Sequence, residues 1–292
     1  TPQLINEFHG LVLDLRSVDK DSVVCAPIGQ PDLRTYSEAR LGRPFIGNSV
    51  SFPGQAGGDQ LCTLITSIFK TDNFIEGFRQ NITGLDGYQH CVHAFLISTL
   101  SELEQRTIWE WSQGYSNLIV GWFKTDPGLY ECWNTGIRIA PTEYVSNANV
   151  DDLRHPQQLS SLVSVLKSRT DADVAASALV PFYVYGSQLA DIDCSAPWYQ
   201  DEAGDFGMEQ LARLEREIDG QWKLVPHNLP HCMPVWRKSL HDRFGYFEES
   251  RFGTFADWAF WLKVTRDGVK GYLDSRPLSF YFVNPTSHNR RG

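Results

Sequence analysis

The chain has 292 residues, of which 42% are hydrophobic and 21% are charged, and its formal net charge is −9. This composition is typical of a globular protein with enough chain to bury a substantial core. The negative charge argues against a general nucleic-acid binder, which normally presents a basic face. No apolar run approaches the ~20 residues that a membrane-spanning helix needs, so no transmembrane segment is predicted.

The first 58 residues differ from the rest of the chain and carry no recognisable chemistry. Short strands are predicted at 11–15 and 22–25, and the glycine- and proline-rich segment 43–59 is predicted to be a loop or linker. We interpret residues 1–58 as an N-terminal extension or as the end of an upstream domain.

Between residues 59 and 186, apolar runs of strand length alternate with segments of helical spacing. This order predicts an α/β fold with a mostly parallel sheet covered by helices on both faces. The predicted strands are 61–69, 91–97, 117–122, 143–148 and 172–185. The predicted helices are 72–82, 102–113, 129–139 and 155–169.

After residue 186 the regular alternation fades, and residues 187–292 are predicted to form a smaller second region. A polar helix is predicted at 208–218 and an aromatic-rich helix at 254–263. A final strand is predicted at 278–283, because aromatic and β-branched residues are concentrated there.

Six cysteines are scattered along the chain without CxxC or CxxxH spacing. Zinc ligands normally follow such spacings, so zinc is not predicted. Buried thiols in a reducing cytoplasm are the simplest interpretation. The six are Cys25, Cys62, Cys91, Cys132, Cys194 and Cys232.

The segment Asn147–Asp152 (NANVDD) directly follows a predicted strand. Ligands of parallel α/β sheets bind outside the carboxyl ends of the strands, where this segment lies. Its amide and carboxylate oxygens suit a hard divalent cation, and magnesium is usually held by one or two carboxylates together with substrate phosphates. An Asx turn before a helix is the alternative, since Asn and Asp favour both features.

Five segments resemble, in order, the motifs of family 2 glycosyltransferases of the GT-A fold. They are Leu64–Phe69 (opening strand and nucleotide-binding turn), Gly128–Ile137 (helix that closes on the donor), Asn147–Asp152 (DxD metal motif), Trp236–Glu248 (acceptor-side segment) and Ala256–Lys263 (helix with the catalytic aspartate). The resemblance covers residues 60–290. It implies a Rossmann-like GT-A fold in which 59–186 binds a nucleotide sugar and 187–292 binds the acceptor.

The chain departs from this family at three places. The DxD-like pair is Asn149 and Asp151, so one carboxylate is replaced by an amide. The second strand ends in Ser98-Thr99, where the family has acidic residues that hold the nucleobase. Ala256 stands where the family has a glutamate before the catalytic aspartate. These changes affect the expected metal affinity and the expected identity of the nucleobase in the donor.

The resemblance implies an inverting transferase that moves a sugar from a nucleotide-diphosphate sugar, UDP- or GDP-linked, to a hydroxyl. The acceptor would be a glycan or a lipid-linked or protein-linked group, and Mn²⁺ or Mg²⁺ would assist. A lipid-linked acceptor would place this cytoplasmic protein peripherally at the inner face of the membrane. Nucleic acid is not expected as a partner.

The resemblance also assigns roles to individual residues. Asp257 is the implied general base, with a helix N-terminal carboxylate as the alternative. Donor contacts are implied for Thr66, Ser67, Phe69, Ser98, Thr99, Asn134, Asn149, Val150, Asp151 and Arg154. The implied metal ligands are Asp151, Asn149, Asp152 and His288. The implied acceptor contacts are Trp236, Arg237 and Trp258, with core packing as the alternative for both tryptophans.

Two other classes of function remain as alternatives. A non-catalytic glycosyltransferase-like module would bind a glycan or nucleotide sugar without turnover. Asn149 and the Ser98-Thr99 departure favour it, and Asp151 and Asp257 count against it. A nucleotidyltransferase also uses a metal at the edge of a parallel sheet. Segment 66–70 has no glycine-rich phosphate loop, however, which disfavours that second class.

Overall fold

The computed structural model describes residues 11–14, 61–98, 101–115, 117–123, 126–216 and 222–283. The chain divides into two compact units, an N-terminal unit up to Asp152 and a C-terminal unit from Leu153. This boundary falls before the one at residue 186 that was expected between donor and acceptor halves. The predicted strand at 22–25, the predicted loop at 43–59, Thr99 and His288 lie outside the described residues.

A parallel sheet forms the frame of the N-terminal unit. Its strands are β1 (Leu11–Asp14), β2 (Thr63–Ile68), β3 (Val92–Ile97), β4 (Leu118–Trp122) and β5 (Tyr144–Asn147). They lie in the order β1-β4-β3-β2-β5, and every pairing among them is parallel. All residues of β3 are buried, as expected for a strand covered on both faces. The predicted parallel α/β architecture is confirmed here.

Three helices of this unit cover the sheet close to their predicted positions: α1 (Ile75–Thr83), α2 (Glu102–Gly114) and α3 (Leu129–Ile139). Each buries an apolar stripe, which in α1 consists of Ile75, Phe78 and Ile82. Gly136 lets α3 approach β2 closely, because a Cβ at this position would overlap the side chain of Ile65.

The C-terminal unit combines one parallel pairing with several antiparallel ones. Its strands are β6 (Leu153–Arg154), β7 (Val174–Phe182), β8 (Gly204–Phe206), β9 (Ala212–Arg216), β10 (Trp222–Pro226), β11 (Val235–Arg237) and β12 (Gly271–Phe282). The sheet order is β11-β7-β12-β6, and β8 also pairs with β12. Strands β7 and β12 are parallel, whereas β11, β6 and β8 pair antiparallel with their neighbours.

The helices of the C-terminal unit are α4 (Gln158–Ser168), α5 (Met208–Leu211), α6 (Ser239–Phe244), α7 (Glu249–Phe252) and α8 (Ala256–Arg266). No helix among the described residues is long and apolar enough to cross a lipid bilayer.

The predicted helix at 208–218 is wrong. In the described part of this segment only α5 is helical, and the chain continues as β9, which pairs antiparallel with β10. The sequence Ala212-Arg213-Leu214-Glu215 alternates small or apolar residues with charged ones, which suits a strand. Pairing across the hairpin, for example Leu214 with Leu224, therefore overrides the local helix propensity.

An aromatic cluster fills the core between α6 and α8. Trp236 is 0% exposed, and its indole N–H donates to His241 Nε2 at 2.9 Å. The Trp236 and Trp261 rings lie 5.6 Å apart with edge-to-face geometry, and the His241 ring stacks on Phe260 at 4.7 Å. This packing fixes α8, the helix that carries Asp257 in its first turn.

Candidate functional site

The segment that follows β5 is held firmly to β2. The backbone N–H of Ala148 donates to Ile65 O at 2.8 Å, and the Thr66 hydroxyl donates to Ala148 O at 2.9 Å. The same hydroxyl contacts Nε2 of the buried His93 at 2.8 Å. Thr66 is fully buried and lies within this scaffold, so it fixes the position of the acidic segment rather than presenting its hydroxyl to solvent.

Within the acidic segment, Asn149 and Asp152 contact each other. Asn149 Nδ2 donates to Asp152 Oδ2 at 2.9 Å, and the Asp152 backbone N–H donates to Asn149 O at 3.4 Å. Asp152 is only 2% exposed, whereas Asn149, Val150 and Asp151 are partly exposed. These two bonds close a turn over Asn149–Asp152, and the Asx turn that the sequence offers as an alternative stays a prediction.

Asp151 is the carboxylate of this segment that is partly exposed. Burial raises its pKa above the usual range, because the charged form loses hydration. A cation bound beside it would offset that cost. Among the residues that the structure describes, however, no group of three or more His, Cys, Asp or Glu side chains is arranged to hold a metal.

The ends of β2 and β3 meet helix α3 at Cys132. The Ser98 N–H donates to Ile68 O at 3.1 Å, directly beside Ser67 of β2, and burial raises the pKa of the nearby Cys132 thiol to about 11. Two residues that the sequence assigned to donor binding therefore lie together, and the buried thiol near them was not anticipated. Phe69, at the end of the same turn, is exposed.

Asn134, assigned to donor binding, is buried instead of lying on an exposed face of α3. Its amide N–H donates to Glu131 Oε2 at 3.3 Å, and Arg138 donates to Glu131 Oε1 at 2.9 Å.

Of the described cysteines, Cys194 is exposed, which departs from the expectation of buried thiols.

Arg154 is buried in the C-terminal unit, with 1% of its surface exposed. Its Nη1 donates to Gln158 Oε1 at 2.6 Å, and Gln158 Nε2 donates to Met233 O at 2.8 Å. Arg154 is therefore not part of a surface ion pair. A buried guanidinium is costly unless it is compensated by hydrogen bonds or opposite charge.

The three expected acceptor contacts have different surroundings. Trp236 lies in the core, so the structure corrects its assignment to an acceptor platform. Arg237 Nη2 donates to Leu166 O at 2.7 Å, and its Nε lies 3.5 Å from Asp173, contacts that hold α4 and β7. Trp258 is partly exposed and donates its indole N–H to Leu211 O at 3.1 Å.

A polar cluster surrounds Asp257 at the start of α8. Asn228 Nδ2 donates to Asp257 Oδ2 at 2.7 Å. His231 is close enough for the Asp257 charge to act on it; burial lowers the pKa of His231, and Asp257 opposes that change. The Nδ1 atom of His231 and the Oδ1 atom of Asn228 are buried and have no hydrogen-bond partner among the residues that the structure describes.

The segment before β11 that supplies this cluster was not recognised from the sequence as a source of site residues. Its backbone is strained at one point, because Met233 has a φ of 63°. Non-glycine residues rarely adopt this region, and such strain is often found at functional sites. The segment Asn228–Met233 (NLPHCM) places an asparagine, a histidine and a cysteine within six residues, and this concentration of polar side chains was the available signal of a site.

No protein-family profile matches the chain, and no curated protein matches it in sequence. Solved structures do match it. The chain aligns with S. aureus TarS 1–349 in complex with UDP at a TM-score of 0.57 and 16% identity, covering 76% of this chain and 60% of that one. The chain has the GT-A glycosyltransferase fold.

Two further structures extend this comparison. TarS 1–349 in complex with UDP-GlcNAc aligns at a TM-score of 0.58 and 14% identity, over 79% of this chain and 60% of that one. Mannosyltransferase PcManGT from Pyrobaculum calidifontis, in complex with GDP-Man and Mn²⁺, aligns at 0.52 and 16% identity, over 78% and 60%. At such low identity the likeness establishes the fold alone, and the chain spans only about three fifths of these structures.

Proposed function

We propose that the chain is an inverting glycosyltransferase that uses a nucleotide-sugar donor and Asp257 as general base. The observation that carries the proposal is the Asp257 carboxylate, held by Asn228 at 2.7 Å in the first turn of α8. A general base needs a fixed position and access to the proton that it removes. Asp257 has both, because an outside residue holds one oxygen and the side chain is partly exposed.

In this reaction the acceptor hydroxyl oxygen forms a bond to the anomeric carbon while the bond from that carbon to the diphosphate oxygen breaks. The electron pair of the broken bond leaves with the nucleoside diphosphate. Asp257 takes the proton from the acceptor hydroxyl, on the face of the sugar opposite the leaving group. Attack from that face inverts the anomeric centre.

A nucleotide sugar is the donor that the comparisons support, since the aligned structures contain UDP, UDP-GlcNAc and GDP-Man. In this chain we assign donor contacts to Ser67 near the end of β2 and to Ser98, which follows β3 and donates its N–H to Ile68 O at 3.1 Å. Hydroxyls can hydrogen-bond a base or ribose without adding negative charge, which suits an anionic ligand.

The residues of the acidic segment fit a divalent cation that arrives with the diphosphate, not one held by protein groups alone. Asp151 would supply the carboxylate, because its burial disfavours charge and a cation would offset that effect. Such an ion neutralises charge on the leaving diphosphate. Asn149, whose amide N–H is bonded to Asp152, has a supporting role in the turn.

The alternative is a module that binds a nucleotide sugar or glycan without turnover. It is favoured by the contact between Asn149 and Asp152, which replaces a second metal-binding carboxylate with a structural hydrogen bond. The two candidates differ in one measurable respect, since only the enzyme releases nucleoside diphosphate.

The test is a panel of nucleotide sugars incubated with Mn²⁺ or Mg²⁺, scored by release of nucleoside diphosphate. We expect one donor to be turned over, and Asp257→Asn to reduce the rate by about 10²- to 10⁴-fold, the usual contribution of a general base. Asp267→Asn, the same change at the exposed other end of α8, is the matched control and should have no effect. Donor binding without release would support the binding module, and absence of donor binding would refute the proposed enzyme and leave only the glycan-binding form of the module.

Asn228→Ala tests how Asp257 is positioned. A hydrogen bond to a charged group contributes about 1.5–3 kcal/mol, so kcat should fall about 10- to 100-fold with a smaller change in donor affinity. Measuring kcat and KM separately distinguishes this role from a general loss of folding. An unchanged kcat would show that Asn228 does not orient the base.

A further inference from the structure

Trp198 is a partly exposed tryptophan in an otherwise polar segment. Its side chain is 39% exposed, although its backbone is fixed to β7. The Trp198 N–H donates to Leu179 O at 2.6 Å, and the Leu179 N–H donates to Trp198 O at 3.1 Å. The indole is therefore presented to solvent from a rigid position, which makes it a candidate for ligand contact.

A continuous series of contacts leads from this indole to the proposed base. The Trp198 ring lies 6.3 Å from the Tyr281 ring, and the Tyr281 ring lies 4.7 Å from the His231 ring. His231 in turn interacts with the charge of Asp257. The distance between the Trp198 indole and the His231 imidazole therefore cannot exceed the sum of these two ring separations.

The turn that follows Trp198 is also constrained. Tyr199 has a φ of 65°, an unfavourable conformation for a residue with a side chain. Burial raises the pKa of Tyr199 to about 12, and its ring lies 6.2 Å from that of His227. His227 Nδ1 lies 3.3 Å from Glu202 Oε1. These contacts attach the Trp198 turn to the segment that supplies Asn228 and His231.

The charge of this segment restricts what the indole can bind. Between Ser187 and Gly204 the chain carries acidic residues and no lysine or arginine. The acidic residues are Asp191, Asp193, Asp201 and Glu202. A phosphate-bearing or otherwise anionic group would be repelled here, whereas a neutral, hydroxyl-rich molecule would not.

We propose that Trp198, backed by Tyr281, is a stacking platform for a neutral sugar ring of the acceptor. A pyranose presents apolar C–H groups on its face and hydroxyls at its edge, which match an aromatic face surrounded by polar groups. This inference rests on the proposed function and names its acceptor class. Because two ring contacts separate Trp198 from His231, the platform holds a sugar beside the reacting one, so the acceptor is an oligosaccharide.

The test uses neutral mono- to tetrasaccharides as acceptors, immobilised for binding and free in solution for transfer kinetics. The wild-type protein should prefer di- to tetrasaccharides over monosaccharides. Trp198→Ala should raise the acceptor KM for the longer glycans about 3- to 10-fold and remove their advantage over monosaccharides, as expected for loss of one aromatic contact. Trp198→Phe should retain most of the preference, which also controls for misfolding.

Phe252→Ala is the matched control, since Phe252 is 38% exposed in the same unit but has no ring contact with Tyr281 or His231 among those seen in the described residues. It should leave the chain-length preference unchanged. The inference is overturned if no neutral glycan binds or if Trp198→Ala leaves the acceptor KM unchanged. It is also overturned if Trp198→Ala and Phe252→Ala raise the acceptor KM equally. Donor turnover and its dependence on Asp257 are measured separately, so the proposed function can stand when this inference fails.

Discussion

Helix α2 of the N-terminal unit and helix α8 of the C-terminal unit begin in different ways. In α2 the Ser101 hydroxyl accepts from the Glu104 N–H at 3.1 Å, and Glu104 Oε2 accepts from the Ser101 N–H at 2.8 Å. At α8 the residue before the helix, Phe255, provides no side-chain cap, and the acidic residue of the first turn is instead bonded to Asn228. Glu104 Oε1 also accepts from the Thr71 N–H at 2.6 Å and from the Thr71 hydroxyl at 2.8 Å, and Glu104 is buried, so this carboxylate serves stability. Asp257, by contrast, is partly exposed, which suits chemistry.

The sheets of the two units also differ, in the regularity of their strand register. In the N-terminal unit the β2–β3 pair runs without a register shift from Thr63 with Val92 to Ile68 with Ile97. In the C-terminal unit the β7–β12 pair contains register shifts on both sides of Pro277. Irregular connections allow polar groups from distant parts of the sequence to meet, as Asn228, His231 and Asp257 do.

The strongest test of this contrast is Trp236, because its environment decides whether the aromatic residues of the C-terminal unit form core or ligand surface. Trp236→Ala should lower the free energy of unfolding by about 3–5 kcal/mol, since it removes a fully buried ring and leaves His241 without its indole donor. Urea denaturation followed by circular dichroism measures this change. Trp258→Ala, at a partly exposed position, should cost less.

An unchanged stability in Trp236→Ala, together with a raised acceptor KM, would contradict the core assignment. It would restore the interpretation of Trp236 as an acceptor contact.

The regular part of the fold could be predicted from the sequence because its signals are local. Helix 129–139 was predicted at its observed bounds, and the strand predicted at 91–97 is observed at Val92–Ile97. The segments that were missed depend on partners far along the chain. Leu153–Arg154 becomes a strand only through pairing with Ser279 and Phe280, which no window of local sequence contains.

The candidate site was predictable only in part. The position of Asp257 followed from the family resemblance, and its role stays a prediction. Asn228 could not be linked to it, since 29 positions separate the two and no periodicity relates them. Residue type also could not distinguish Trp236 from Trp198, because both are tryptophans and only the three-dimensional packing buries one and exposes the other.

Each unit has a glycine at a close contact, and replacing it by alanine should reduce stability less than Trp236→Ala does. Gly136→Ala should destabilise the protein by about 1–3 kcal/mol, because the new methyl group overlaps Ile65, a β-branched side chain with little freedom to move. The double variant with Ile65→Ala should lose less than the two single changes together, since the smaller side chain removes the overlap. Gly271→Ala is the counterpart in the C-terminal unit, where the overlap is with the Phe206 ring.

The thermal and urea midpoints of Gly136→Ala, Ile65→Ala and the double variant give the coupling free energy between the two positions. Strict additivity would show that α3 does not press on β2 at this point.

The smallest expected effect tests the capping box that distinguishes α2 from α8. Ser101→Ala removes the hydroxyl that accepts from the Glu104 N–H, and loss of an N-cap side chain typically costs about 0.5–2 kcal/mol. Ser250→Ala, at an exposed position of α7, is the matched control and should stay within about 0.5 kcal/mol of the wild-type protein. Donor turnover should be unaffected in both variants, because neither serine belongs to the Asp257 cluster. If Ser101→Ala instead reduced turnover without lowering the urea midpoint, the start of α2 would have a part in chemistry, and the division of roles between the two helices would fail.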